Sequence, residues 1–209
     1  MIAQRTPEWF AQRAGKLTGS RFADLMAVQR TGAPTRRSHL ITTLAVERIT
    51  GQCIETYSNA AMQRGVELEQ EALAAYEAHT GVLVSPSGFV QHPTLPYVGV
   101  SPDGLIDNDR MVEVKCPATM TKHAEALRTG AHAAEYHWQL QGQLWVCGRK
   151  WVEVVSYDPR FPPGLQLAIV VIAREDDAIE KLKDACMTAE IEILALVVQL
   201  HSLKEKVYG

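Results

Sequence analysis

With 209 residues, 46% of them hydrophobic and 22% charged, the chain is long enough for one large domain or two small ones. Its composition is that of an ordinary globular protein, which argues against disorder, a collagen-like repeat or an extended coiled coil. The formal net charge of −3 does not by itself suggest a polyanionic partner, but it is unevenly spread. Residues 1–50 carry eight Lys and Arg against three acids, a balance of +5 that leaves −8 on the remainder, and a basic quarter on an acidic body can seat a polyanion.

Thr6-Pro7-Glu8 reads as a helix start, with a hydroxyl cap, proline at the first helical position and an acid at the positive helix end. That helix is expected to run to about Ala14 and stop at Gly15. Thr18-Gly19-Ser20 then caps a second helix with Phe22, Leu25 and Met26 on one face. Residues 29–37 read as a polar loop, followed by helices from about Ser38 to Thr50 and from about Asn59 to Thr80, each stopped by glycine. Val82–Val84 and Gly88–Gln91 look like a hairpin or paired strands. Gly99–Ile106 and Met111–Lys115 read as strands joined by the turn Asp107-Asn108-Asp109-Arg110. Thr121 to Arg128 and Ala133 to Cys147 read as helices. Trp151–Tyr157 and Leu165–Ala173 read as strands separated by a Pro159–Gly164 turn. From Asp176 to about Lys206 the apolar spacing predicts one long amphipathic helix. The order predicts a single α/β domain: helices, a mixed central sheet flanked by helices, then a closing helix.

The longest apolar run, Leu167–Ala173, is far short of a membrane span. The N-terminus has no apolar leader core, so the expected location is cytoplasmic, with no membrane partner. Cys53, Cys116, Cys147 and Cys186 show no C-x2-C step, which predicts reduced thiols rather than a zinc or iron–sulfur site. Tyr136, Trp138, Trp145 and Trp151 read as core packing.

The segment carrying chemistry runs from Ser101-Pro102-Asp103-Gly104 to Glu113-Val114-Lys115-Cys116-Pro117. Glu113 and Lys115 are two apart on a strand and so share a face. A tight turn would bring Asp103 beside that face, with Val114 pointing the other way. Mg²⁺ takes oxygen ligands and commonly uses one or two carboxylates, so Asp103 and Glu113 suit it, with the Val114 carbonyl as a third ligand. Lys115 could orient a bound water, favour hydroxide electrostatically, or take its proton if its pKa is lowered. Ser20 at a predicted helix N-terminus and Arg13 nearby suit a phosphate. Trp9 is equally suited to stacking on a base or to core packing.

Pro102-Asp103 with Glu113-Val114-Lys115 resembles the PD-(D/E)xK nuclease signature. The likeness extends through Arg64-Gly65-Val66-Glu67-Leu68-Glu69, Gln139-Leu140-Gln141-Gly142-Gln143 and Tyr157-Asp158-Pro159-Arg160, and through Trp9-x3-Arg13-x-Gly15-x2-Thr18-x-Ser20. In this order the motifs resemble the phage lambda exonuclease group, the YqaJ-like recombination nucleases, over residues 7–175. The resemblance implies a restriction-endonuclease-like fold and a Mg²⁺-dependent 5′→3′ exonuclease. Such an enzyme degrades one strand of duplex DNA from 5′-phosphorylated ends and leaves 3′ overhangs for strand annealing. It implies two Mg²⁺ ions, replaceable by Mn²⁺, a ring-like homotrimer, and a single-strand annealing protein as partner. By motif position Asp103, Glu113 and the Val114 carbonyl would hold metal, and Lys115 would activate water. Glu69 would face the second metal or its water, though the residues alone leave Glu67 open as that acid. Gln139 would brace the water or Lys115, and Arg13, Thr18 and Ser20, with Trp9, would hold the DNA end. The organisation implied is an end-binding part over 1–50, a catalytic core over 59–173 and a C-terminal helix over 176–206. Competing readings are a RecB/Cas4-like nuclease of other polarity and a non-cleaving DNA-end-binding module.

Overall fold

In the computed structural model, which describes residues 2–27, 36–54 and 60–208 (60–62 and 204–208 by backbone alone), helix α1 spans Pro7–Arg13. Thr6 caps it by accepting a hydrogen bond from the Trp9 N–H. Strand β1 is only Leu17–Thr18, and a 3-10 turn over Gly19–Arg21 leads into the four-residue helix α2, Phe22–Leu25. Helices α3, Arg36–Thr50, and α4, Ala60–Thr80, follow. Arg36 and Arg37 thus belong to a helix rather than to the predicted loop, whose other residues, 29–35, lie outside the described ones, as does Asn59.

Two departures from the expected strands shape the site. Val82–Gln91 does not fold on itself. Instead β2, Ser85–Pro86, pairs antiparallel with β5, Gly104–Leu105, while β3, Val90–Gln91, pairs antiparallel with β4, Val98–Val100. The predicted single strand over Gly99–Ile106 is therefore two strands in two sheets, and Ser101-Pro102-Asp103 is the crossing between them. Proline has no N–H to give a ladder, which favours a break there.

One sheet has the order β1-β4-β3. The other, mixed, has the order β2-β5-β6-β7-β8, with β6 Arg110–Lys115, β7 Trp151–Tyr157 and β8 Leu167–Ala173. β6 and β7 are parallel, which demands a long crossover. It is supplied by α5, Met120–Thr129, a 3-10 turn over Ala131–Tyr136, and α6, His137–Cys147. The predicted helix over 133–147 is thus split at Tyr136. Val112, Val114, Val155 and Tyr157 pack on Ala72 and Tyr76 of α4, whereas Met111, Val152 and Val154 pack on Leu140 and Leu144 of α6. Each sheet face has its own helix, so β6 turns Glu113 and Lys115 towards the α6 side.

Helix α7, Asp176–Tyr208, closes the fold. By length and composition its stretch Asp176–Leu203 is apolar enough to cross a membrane, which the reading of short apolar runs did not foresee. Its Leu182, Cys186, Ala189 and Ile193 lie in the core with Leu40, Ile41, Leu44 and Ala45 of α3. Trp138 and Trp145 pack against that core, but Trp151, at a sheet end, is 43% exposed and is not a core residue.

Candidate active site

The antiparallel register that sets Gly104 against Val112 and Leu105 against Met111 brings Asp103 level with Glu113. Glycine at 104 is a packing requirement, since a Cβ there would meet Val84 Cγ1 at 2.1 Å. Asp103 accepts the Val114 N–H at 2.7 Å, which fixes it beside the strand that carries Glu113 and Lys115. Lys115 Nζ donates to Glu113 Oε1 at 2.7 Å, and Gln139 Nε2 donates to the same oxygen at 2.5 Å. Lys115 Nζ is also 3.4 Å from Gln139 Oε1 and lies 4.2 Å from the centre of the Tyr136 ring. One turn further along α6, Gln143 Nε2 donates to Glu113 Oε2 at 2.8 Å.

The electrostatics follow from this crowding. Burial, then the nearby Glu113 and Glu69, push the Asp103 carboxyl well above its ordinary range, with Lys115 opposing. Burial works to lower the Lys115 pKa, but Glu113 and Asp103 outweigh it and the ammonium is held above its usual value. Its ammonium beside Glu113 can orient water and favour hydroxide.

Glu69 enters from α4 and lines the same cavity, where it pairs with Arg5. Glu67 does not line it and accepts from Gln63 instead, so the choice between the two acids falls on Glu69. Helix α4 is seated by Arg64, which reaches the fully buried Asp158 at 3.2 Å, and by Glu71, which accepts from Tyr157.

The cavity, of about 880 Å³, joins Asp103, Glu113, Lys115, Glu69 and Gln139 to Trp9, Arg13 and Ser20. Arg13 Nη2 is 3.4 Å from the hydroxyls of both Thr18 and Ser20, and its guanidinium lies 4.1 Å from the Trp9 ring centre. Thr18 is fully buried and does not line the cavity, so it can only orient Arg13. Ser20 lies in a 3-10 turn before a four-residue helix, too short for the helix-dipole argument made from the sequence. Trp9 is 8% exposed, and its indole N–H donates to Ser101 Oγ at 3.0 Å. One face of its ring is taken by Arg13.

The basic first quarter is less free than its charge implies. Arg21 is consumed by the buried Glu47, at 2.5 and 2.9 Å, which also accepts the Gly15 and Ile54 N–H groups. Burial tends to raise the Glu47 pKa, but Arg21 and those N–H groups hold it below the usual carboxylate range. Arg37 and Arg48 are tied to Glu192 and Glu190 of α7. Arg13 has no carboxylate partner among the described residues. Burial, then Arg21, lower its pKa to about 10, which leaves it cationic at neutral pH and short of an anion.

Three residues that sequence reasoning missed belong to this site. Gln143 was signalled by its i, i+4 spacing from Gln139. Tyr136 was read only as core packing, although it also underlies Lys115. Arg5 was counted only as charge. Among the described residues no three or more Asp, Glu, His or Cys side chains form a ready metal cage. The donors facing the cavity are carboxylate oxygens, the chemistry a hard divalent cation takes, and the burial and carboxylate repulsion that raise the Asp103 pKa are what such a cation would offset. All four cysteines are unpaired. Burial pushes the Cys116 thiol up to about 12, so this cavity wall is neutral.

The model of the YqaJ-like viral recombinase domain matches residues 8–150. The chain belongs to that family. Among solved structures, this YqaJ-like chain is similar to the alkaline exonuclease LHK-Exo from Laribacter hongkongensis. The two are 39% identical with a TM-score of 0.86, over 97% of this chain and 100% of that one. LHK-Exo in complex with dAMP matches at 40% identity, with the same TM-score and coverage. A phage-related exonuclease from Haemophilus somnus 129PT is 15% identical with a TM-score of 0.72, over 88% of this chain and 96% of that one, and shares the fold. No curated protein matches. The family resemblance and the α/β PD-(D/E)xK fold class read from the motifs are both borne out.

Proposed function

We propose that this chain is a Mg²⁺-dependent exonuclease that degrades one strand of duplex DNA 5′→3′ from 5′-phosphorylated ends, leaving 3′ overhangs for recombination by strand annealing. The observation that carries the reading is one cavity lined both by Asp103, Glu113 and Lys115 and by Arg13, a guanidinium without a carboxylate partner among the described residues. A phosphodiester beside the carboxylates and a terminal phosphate on the guanidinium are what those groups suit. The chemistry named for the neighbours, alkaline exonuclease and phage-related exonuclease, agrees.

In this reading Asp103, Glu113 and the Val114 carbonyl hold Mg²⁺, with Mn²⁺ as a substitute, and Glu69 serves a second ion or its water. When bound, the cation lowers the pKa of the attacking water and neutralises charge on the phosphate. Lys115, beside Glu113, orients that water and favours hydroxide. Gln139 and Gln143 fix the Glu113 carboxylate, while Gln139 also faces Lys115. Arg13 holds the terminal 5′-phosphate with Ser20, and Thr18 orients Arg13. Trp9 forms the wall beneath, so a base would stack there only on a face that Arg13 leaves free. Residues 1–50 form the end-binding part, 59–173 the catalytic core and 176–206 a closing helix. The assembly is a cytoplasmic homotrimer working with a single-strand annealing protein, and the family's recombinase description supports the recombination role alone.

The test is digestion of linear duplex carrying 5′-phosphate or 5′-hydroxyl ends, with closed circular DNA as control, in Mg²⁺ or Mn²⁺. Loss of the 5′-phosphorylated strand as mononucleotides, with circles intact, is expected. Loss from 3′ ends would establish the other polarity. Binding of ends without cleavage in either metal would establish the end-binding module instead.

A further inference from the structure

Resting on that nuclease reading, we propose that Arg5 is an exchangeable counter-cation of the site, pairing with Glu69 in the empty enzyme and turning to a phosphate of the bound strand once a divalent cation takes Glu69.

The segment before α1 is a strap laid over the site. Gln4 Nε2 donates to the carbonyls of Ser87 at 3.1 Å and Pro102 at 2.9 Å, so the strap is fastened to the residue just before Asp103. On the other side Thr6 is fixed as the α1 cap and donates to the Ala3 carbonyl at 3.0 Å. Between these anchors Arg5 has φ +66°, the one non-glycine residue with positive φ among the described residues. That conformation is unfavourable for a residue with a Cβ, and it is over-determined by the two fastenings. Its result is that Arg5 lines the cavity and its guanidinium meets the Glu69 carboxylate.

The pair is unequal. The Glu69 side chain is 12% exposed and that of Arg5 is 41% exposed. A half-exposed arginine is held weakly and can exchange partners. A divalent cation at Glu69 would repel the guanidinium, and the nearest anion that a bound DNA strand offers is a backbone phosphate, which an arginine fork meets bidentately. Arg5 is therefore a binding residue whose contact is made only when metal and DNA are both present.

The experiment compares wild type with Arg5→Gln, Arg5→Lys and Arg5→Gly, the last relieving the backbone at φ +66°. Calorimetric titration with Mg²⁺ in the absence of DNA should show Arg5→Gln binding metal about two- to fivefold more tightly, because the competing cation is gone. Binding of a 5′-phosphorylated duplex with Ca²⁺ in place of Mg²⁺ should weaken about tenfold in Arg5→Gln and Arg5→Gly, with the log–log salt slope flatter by about one. Arg5→Lys should recover the slope. A purely structural strap predicts the reverse pattern, with Arg5→Gly equal to wild type. If Arg5→Gln keeps wild-type DNA affinity and salt slope, or binds Mg²⁺ no more tightly, the proposal is overturned while wild-type cleavage leaves the nuclease reading standing. If the wild type cleaves nothing, both fall.

Discussion

Asp103 is crowded by Glu113 and Glu69, with Lys115 as the opposing charge, and the proposed divalent cation would relieve that crowding further. Asp103→Ala and Glu113→Gln should each slow digestion of linear duplex by at least about a thousandfold, since each removes water activation and charge compensation of several kcal/mol. Binding of DNA ends should be kept. Rates within tenfold of wild type for both variants in Mg²⁺ would sink the assignment. Arg13 gives a separable prediction, because its contacts are with Thr18, Ser20 and Trp9 rather than with Asp103, Glu113 or Lys115. Arg13→Ala should lower the preference for 5′-phosphorylated over 5′-hydroxyl ends about ten- to a hundredfold, the worth of a charged hydrogen-bonded contact. Initial rates on the two end types decide it, and an undiminished preference would make Arg13 a structural partner of Trp9. These residues were legible because a strand fixes i and i+2 on one face, so Glu-x-Lys reports geometry directly. Arg5 and Tyr136 were not, because their roles arise from tertiary crossings that no local spacing encodes.

Among the elements, the helices were read from caps and glycine stops that act within a few residues. The short strands were misread where pairing partners decide. Gly99–Ile106 has the composition of one strand, yet Val98–Val100 and Gly104–Leu105 answer to different sheets. The break between 3-10 turn and α6 carries no proline or glycine, and Tyr136 at the break packs against the core cluster of Leu140 and Leu144. Within α6, Gly142 is a position where two effects compete. Alanine would favour the helix by about 1 kcal/mol, but its Cβ would meet Phe22 Cε2 at 2.2 Å and Leu182 Cδ2 at 3.2 Å. Phe22 is fully buried, and overpacking costs about 1–3 kcal/mol. Gly142→Ala should therefore destabilise the protein in urea unfolding and, by shifting Gln139 and Gln143 from Glu113, reduce cleavage. A variant as stable as wild type would show that the α6–α2 contact yields.

At the scale of the whole molecule, the parts of the site come from segments far apart in sequence, and Asp158 ties them. The motif Tyr157-Asp158-Pro159-Arg160 was recognisable in the sequence, but its purpose was not, since its partners are Arg64 on α4 and the segment after β6. Asp158 is fully buried. It takes Arg64 at 3.2 Å and Arg160 at 2.6 and 2.8 Å, and Arg160 also donates to the Ala118 carbonyl at 3.2 Å. The helix carrying Glu69, the end of β7 and the chain leaving Lys115 are thereby clamped together. Hydrogen bonding by Arg160 holds the Asp158 carboxyl below its usual range, against the opposing effect of burial. A depressed folded pKa means stability that is present above the unfolded value of about 3.9 and is lost as pH falls through the folded value. Asp158→Asn should cost about 1–3 kcal/mol at neutral pH, the worth of charged hydrogen bonds. The gap from wild type should begin to narrow as pH falls below about 3.9, where the unfolded carboxyl takes up its proton, and should close only below the depressed folded value. Urea unfolding of both proteins at about pH 7, about pH 5 and about pH 3 measures this gap. A gap that stayed constant across the series would mean that Asp158 acts by shape alone and that its charge does not hold the clamp.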